Sequence, residues 1–221
     1  SKHFGIFPEQ VEEWKFIKEK IEKSSLDGAH QGGLNVLNLF GYTGIASLVA
    51  VKAGLSREAE AKWEAKVTHV DASKQTVDWA RENQKLSGLE DAPIRWIVDD
   101  VIKFVKKEIK RGAKYDAIIM DPPSYGKGPK GEIWKIEEKL PDLLSACREI
   151  LSDKPIFVIF NMYSTELSSI SVANLLADMT KDLGARLPTP KRSDGGQGNI
   201  QSGELAIKQE NSERLLPMSI F

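Results

Sequence analysis

Two hydrophobic rhythms alternate along most of the chain. Short apolar runs at 34–39, 66–70, 94–98, 115–120 and 155–160 predict strands, and a late run at 204–208 predicts one more. Between them, apolar residues recur every three or four positions over 45–53, 73–86, 101–110, 140–151 and 171–183, which predicts helices. In the 73–86 segment Val77, Ala80 and Leu86 are read as the inward face, with Ser73 as the N-cap. Ahead of this alternation, Pro8 suits a first helical position, because its missing N–H would lack a partner there anyway. Val11, Trp14, Ile17 and Ile21 then form an apolar stripe separated by Glu and Lys, the pattern of a surface helix. The stretch 24–33 carries Ser, Asp and Gly and reads as a loop.

Strands alternating with helices of ten or so residues predict βαβ units and a doubly wound, mostly parallel α/β sheet. Right-handed crossovers bring the loops that follow the strands to one edge, where such sheets bind ligands. Chemistry is therefore expected in the loops at 40–44, 71–73, 99–101, 121–131 and 161–164. Residues 1–33 are expected to form a helix and loop packed on a core domain of residues 34–221, the whole being one structural domain. Two segments break the rhythm: a charged insert at 55–65 containing Trp63, and a Gly-rich stretch at 193–199.

Composition narrows the picture further. At 221 residues, 41% hydrophobic and 29% charged, the chain is ordinary globular protein. Its 31 Lys and Arg against 32 Asp and Glu exclude a uniformly basic nucleic-acid coat but leave room for a local basic patch. The single cysteine, Cys147, makes no internal disulfide, and no Cys/His cluster has zinc spacing, so no metal is expected. No apolar run approaches the ~18–20 residues that span a bilayer, and the start lacks a secretory pattern. A cytoplasmic protein with no membrane partner is expected. The chain opens on Ser1 rather than Met, as a trimmed fragment of a longer protein would.

The candidate chemistry lies in four motifs. Phe40-Gly41-Tyr42-Thr43-Gly44 joins a strand to a helix, where glycine lets backbone and ligand approach closely and the helix start offers N–H groups to an anion. The spacing matches neither the three-glycine dinucleotide fingerprint nor a Gly-Lys-Ser/Thr phosphate loop. Asp71 ends the second strand, where a carboxylate can accept ribose hydroxyls or cap the next helix, a role open to Ser73. Asp99-Asp100 follows the third strand and either receives an adenine amino group or caps the helix starting at Val101; Asp100 is favoured for the contact. The most specific signal is Asp121-Pro122-Pro123-Ser124-Tyr125, a stiff corner of bare carbonyls able to grip an amine N–H, with Tyr125 placed to stack on a base. Just beyond it, Lys127, Lys130 and Trp134 set cations beside an aromatic ring, which suits phosphate contacts and base stacking or else a solvated loop over a buried Trp134.

Read together, Asn38-Leu39-Phe40-Gly41-Tyr42-Thr43-Gly44, Val70-Asp71-Ala72-Ser73, Asp99-Asp100-Val101 and Asp121-Pro122-Pro123-Ser124-Tyr125 resemble class I S-adenosylmethionine-dependent methyltransferases. More closely, they resemble the catalytic domain of bacterial 23S ribosomal RNA methyltransferases, over roughly residues 5–210. The resemblance implies a Rossmann-like, seven-stranded sheet with a final antiparallel strand. It implies that Phe40 to Gly44 cradle the methionine part of S-adenosylmethionine, that Asp71 with Ala72 and Ser73 holds the ribose, and that Asp100 with Val101 faces the adenine. Asp121 and Pro122 would line the transfer site, with Ser124, Tyr125, Lys127, Lys130 and Trp134 meeting a ribosomal RNA acceptor. Relatives that methylate carbon 5 of cytosine use a loop cysteine, which neither 121–125 nor 161–164 contains, so a nucleobase nitrogen is the expected acceptor. Acceptors in tRNA, DNA, protein or a small molecule, a nicotinamide dehydrogenase, and a non-catalytic RNA-binding module are the alternatives.

Overall fold

The computed structural model describes residues 5–26, 30, 32–55, 64–163 and 167–180, and the backbone of two strands near the carboxyl end. Residues 56–63 of the insert predicted at 55–65, and the whole of 193–199, lie outside the described residues. A 3-10 turn, Pro8–Gln10, leads into α1 (Val11–Leu26). The core then alternates β1 (Leu34–Leu39), α2 (Ile45–Ala53), β2 (Ala65–Asp71), α3 (Lys74–Leu86), β3 (Ile94–Val98), α4 (Val101–Lys110) and β4 (Ala117–Met120). A short hairpin of β5 (Tyr125–Lys127) and β6 (Ile133–Lys135) follows, then α5 (Ile136–Ile150), β7 (Phe157–Phe160) and α6 (Ser169–Thr180). Strands β8 (Glu204–Lys208) and β9 (Leu215–Ile220) come last.

Five strands form the main sheet in the order β3-β2-β1-β4-β7, all parallel. Side chains alternate between its faces, so each strand feeds two cores. Leu37 and Leu39 of β1 and Ile118 and Met120 of β4 join one cluster with Phe104 of α4 and Leu140, Leu143 and Cys147 of α5. Leu34 and Val36, with Ala117 and Ile119, join the other, against Ile17 and Ile21 of α1 and Leu48 and Val51 of α2. This two-faced burial is why the strands read as nearly continuous apolar runs. From β1 the chain winds one way to β2 and β3, then returns to β1's other side for β4 and β7. The order therefore reverses between β1 and β4, which opens a crevice beyond their carboxyl ends.

The structure corrects several expectations. Among the described residues the main sheet has five strands, and β8 pairs antiparallel with β9 as a separate ribbon instead of closing a seven-stranded sheet. Alternation in a sequence says that a strand's N–H and C=O groups need partners, but not which neighbour supplies them. The hairpin β5–β6 was expected as loop, because three-residue strands are too short to establish a period. Helix α1 continues through residues 24–26, and α5 starts a turn ahead of the expected Leu140, carrying Pro141 inside it. Leu86 is 80% exposed. At 3.6 residues per turn it lies about two and a half turns from Val77, on the opposite face, and Gln84 occupies the inward position. Val11, at the start of α1, is also exposed.

Candidate active site

The loop after β1 is tightly bent. Phe40 and Tyr42 have φ of 57° and 48°, and Gly44 has 84°. Left-handed backbone at a non-glycine residue costs about 1–3 kcal/mol and persists only where neighbours enforce it. Here they do. The Tyr42 N–H donates to Asp71 Oδ2 at 3.0 Å, the Gly41 N–H to the Val70 carbonyl at 3.1 Å, and Asn83 Nδ2 to the Thr43 carbonyl at 2.9 Å. The Thr43 hydroxyl donates to the Gly5 carbonyl, pinning the amino-terminal segment over the loop. Beneath Gly41 lies a buried polar chain: Asn38 Nδ2 donates to Ser47 Oγ at 2.9 Å, and Ser47 Oγ meets His69 Nδ1 at 3.0 Å. A Cβ on Gly41 would sit 2.3 Å from the His69 ring, so no larger residue fits without displacing it. Burial pushes the His69 pKa down to about 3, which keeps the ring neutral.

Asp71 holds more than the glycine loop. Its Oδ1 accepts from the Ser73 N–H at 2.8 Å and the Thr76 hydroxyl at 2.9 Å, while the Ser73 hydroxyl caps α3. Ala72 spans the two. Asp100 caps α4, accepting from the Lys103 N–H at 2.9 Å, and Asp99 pairs with Lys107 at 2.6 Å. Val101 is buried beside that cap. The capping roles weighed for Ser73 and Asp100 are thus both occupied.

The opposite wall unites the end of β4 with the amino-terminal segment. Gln10 Nε2 donates to Asp121 Oδ2 and to the Tyr163 hydroxyl, each at 2.8 Å. Asn161 Nδ2 donates to Glu13 Oε2 at 2.6 Å. Burial pushes the Asp121 pKa up to about 6, with the Gln10 hydrogen bond opposing it and Glu9 adding to it. Burial also pushes Glu13 up to about 7, opposed by Asn161 and reinforced by the charge of Asp121. Between the walls runs an open cleft whose volume, counting the solvent at its mouth, is about 410 Å³. Asn38, Phe40, Gly41, Tyr42, Thr43 and Asp121 line it with Glu13 and Trp14, and α2 begins at its floor with Ile45 and Ala46. Phe7 lies 5.9 Å from the Tyr42 ring and 6.0 Å from that of Tyr163, forming an aromatic rim.

The glycine loop and Asp121, far apart in sequence, therefore share one cleft at the point where the strand order reverses. Asp71 reaches it through the Tyr42 N–H, whereas Asp100 and the hairpin lie outside its lining. Pro122 is buried, Ser124 half-buried, and Tyr125, Lys127 and Lys130 are exposed on or beside the hairpin. Trp134 departs from its expected substrate role. It is 5% exposed, its ring lies 4.7 Å from Phe40, and its indole N–H donates to the Pro123 carbonyl at 2.7 Å, so it braces the corner from inside. Gln10 and Glu13 were missed, since in sequence they are polar positions of a surface helix and carry no motif. Cys147 is buried in α5, and burial pushes its thiol up to about 12. Among the described residues no group of His, Cys, Asp or Glu is arranged to hold a metal, and no helix is long and apolar enough to cross a membrane.

A family model described as S-adenosylmethionine-dependent methyltransferase matches residues 16–160. The ribosomal RNA large subunit methyltransferase K/L of Shewanella frigidimarina is 31% identical over 138 residues, covering 62% of this chain and 18% of that protein. The ribosomal RNA large subunit methyltransferase I of Klebsiella pneumoniae is 29% identical over 151 residues, covering 67% of this chain and 35% of the other. A crystal structure of a SAM-dependent methyltransferase from Agrobacterium tumefaciens superposes with a TM-score of 0.80 at 41% identity, over 99% of this chain and 62% of that one. The chain thus spans between 18% and 62% of the length of these relatives.

Proposed function

The chain belongs to the S-adenosylmethionine-dependent methyltransferase family, and from that premise we propose that it methylates a nucleobase nitrogen in ribosomal RNA. The observation that carries this reading is the meeting, in one cleft, of the strained glycine loop with a buried, acceptor-rich corner at Asp121-Pro122. The cleft fits the cofactor. Gly41 is seated so closely on the His69 ring beneath it that the turn admits no larger residue, and the uncapped start of α2 leaves N–H groups for the carboxylate of the methionine part. Phe40 to Gly44 would hold that part, Asp71 with Ala72 and Ser73 the ribose, and Asp100 with Val101 the adenine. The bound cofactor supplies a methyl carbon already activated by its sulfonium sulfur, so the chain's task is positioning.

Asp121 and the Pro122 carbonyl accept hydrogen bonds from the acceptor's N–H and aim its lone pair along the line of attack. Two consecutive prolines make the corner rigid, and Trp134 clamps it through the Pro123 carbonyl. Gln10 fixes the orientation of Asp121 by occupying Oδ2. Tyr125, 53% exposed, stacks on the base, and Ser124, Lys127 and Lys130 meet the neighbouring backbone. A base inside a duplex would have to be flipped out or come from an unpaired region. The burial of Cys147 in α5 favours direct transfer to nitrogen over covalent attack on a pyrimidine ring. RNA as partner is supported by the named relatives and by the cationic hairpin.

Incubating ribosomal RNA from cells lacking this protein with isotopically labelled methyl donor, followed by nucleoside mass spectrometry, tests the reading. An N-methylated nucleoside that vanishes with Asp121→Ala is the expected result. Label at carbon 5 of a pyrimidine, or label unchanged in that variant, overturns the assigned chemistry.

A further inference from the structure

The cleft has a charge asymmetry that the transfer reaction does not require. On its α1 and β4 side stand Glu13 and Asp121, with buried Glu9 beside Asp121. Among the described residues no lysine or arginine pairs with any of the three. The charge that acts on Glu13 is that of Asp121 at the end of β4, beside which Glu9 stands; Asn161, after β7, is its neutral partner, and Tyr163, also after β7, is held by Gln10. Glu13 Oε2 accepts from Asn161 Nδ2, and Oε1 has no hydrogen-bond partner among the described residues. The facing side has the opposite character. Helix α2 starts there at Gly44 with no side-chain cap, while Trp14, which follows Glu13 on α1 and also lines the cleft, keeps its indole N–H buried without a partner. Carboxylates without a cationic partner and N–H donors without an acceptor, gathered in one cleft, are complementary to a zwitterion carrying an ammonium and a carboxylate on one carbon.

We propose that Glu13 is a specificity residue that receives the α-ammonium of the cofactor's amino-acid end, while the start of α2 and the Trp14 N–H receive its carboxylate. The inference rests on the methyltransferase reading and assigns to α1, an element outside the glycine loop, the recognition of the ligand's amino group. Asp121 remains available to the acceptor nitrogen and adds its field to that of Glu13. The arrangement makes binding proton-linked. In the free protein, burial and the Asp121 charge hold Glu13 partly protonated near neutrality. An ammonium beside it favours the carboxylate, so binding expels a proton, and affinity weakens as pH falls below about 7.

Calorimetric titration of the protein with S-adenosylhomocysteine and with 5′-methylthioadenosine, which lacks the amino-acid end, tests this at pH 7.5 and 6.0. One group titrating at about 7 predicts that the S-adenosylhomocysteine Kd rises about eightfold between those values while the 5′-methylthioadenosine Kd stays level. In Glu13→Gln the S-adenosylhomocysteine Kd should be raised at pH 7.5 and lose its pH dependence. An unchanged 5′-methylthioadenosine Kd in that variant shows that the fold and the nucleoside contacts are intact. Equal pH dependence for both ligands, or wild-type S-adenosylhomocysteine binding in Glu13→Gln, overturns the assignment while leaving the methyltransferase reading standing. Failure of S-adenosylhomocysteine to bind the wild-type protein overturns both.

Discussion

At the scale of single residues, the site is set by what lies beneath the glycine loop. Gly41 is confined by the His69 ring, which is held in turn by Ser47 and Asn38. That ring cannot swing aside without exposing or orphaning further polar atoms, since its Nε2 already lacks a partner. Gly41→Ala should therefore act as overpacking, costing about 1–3 kcal/mol of stability and weakening ligand binding. Urea unfolding of that variant measures it, and wild-type stability would show that the floor of the cleft yields more easily than its packing implies. The sequence marked Gly41 as a turn residue, but His69 carried no signal. A histidine in an apolar strand looks the same whether it packs, binds or supports a loop.

At the scale of elements, the β5–β6 hairpin divides its labour by face. Residues on successive strand positions point to opposite sides, so Trp134 turns inward against Phe40 and Pro123 while Tyr125, Lys127, Ile133 and Lys135 turn outward. Two substitutions separate the roles. Trp134→Ala should cost about 3–5 kcal/mol by emptying a core position. The double change Lys127→Glu and Lys130→Glu should leave the melting temperature nearly unchanged but weaken binding of a single-stranded RNA. The slope of log affinity against log salt should flatten by about 1.4, roughly 0.7 for each phosphate contact removed from a single strand. Fluorescence anisotropy across a salt series reads this out, and an unaltered slope would remove the hairpin from the RNA interface. From the sequence, the cluster of Lys, Tyr and Trp marked the right segment; only strand pairing decided which side chains face solvent.

At the scale of the whole molecule, buried ionisable groups set opposing pH dependences. His69 is neutral when folded and titrates near its ordinary 6.5 when unfolded, so its contribution is present above about 6.5 and is lost as pH falls towards 3. Glu13 and Asp121 run the other way. Their raised folded pKa values mean that ionisation opposes folding above about 7 and 6, and the protein recovers that stability as pH falls through those values towards 4. Ligand-free Glu13→Gln should therefore be more stable than the natural protein at pH 8, by about 1–3 kcal/mol at roughly 1.4 kcal/mol per pKa unit, discounted for partial exposure. The advantage should vanish near pH 4. Thermal melts across that range test it, and a less stable variant at pH 8 would contradict the burial cost assigned to Glu13. Much of this architecture was legible beforehand. Strands β1 and β3 and helices α2 and α4 fall on their expected bounds, and the loops at 40–44 and 121 were both marked as sites, because apolar periodicity and turn chemistry are local properties that a sequence carries residue by residue. The tertiary structure alone decided that β8 pairs with β9, that Trp134 is a brace, and that Gln10 and Glu13 stand against Asp121. Those outcomes depend on which distant segments share a desolvated space, and no spacing along the chain encodes that proximity.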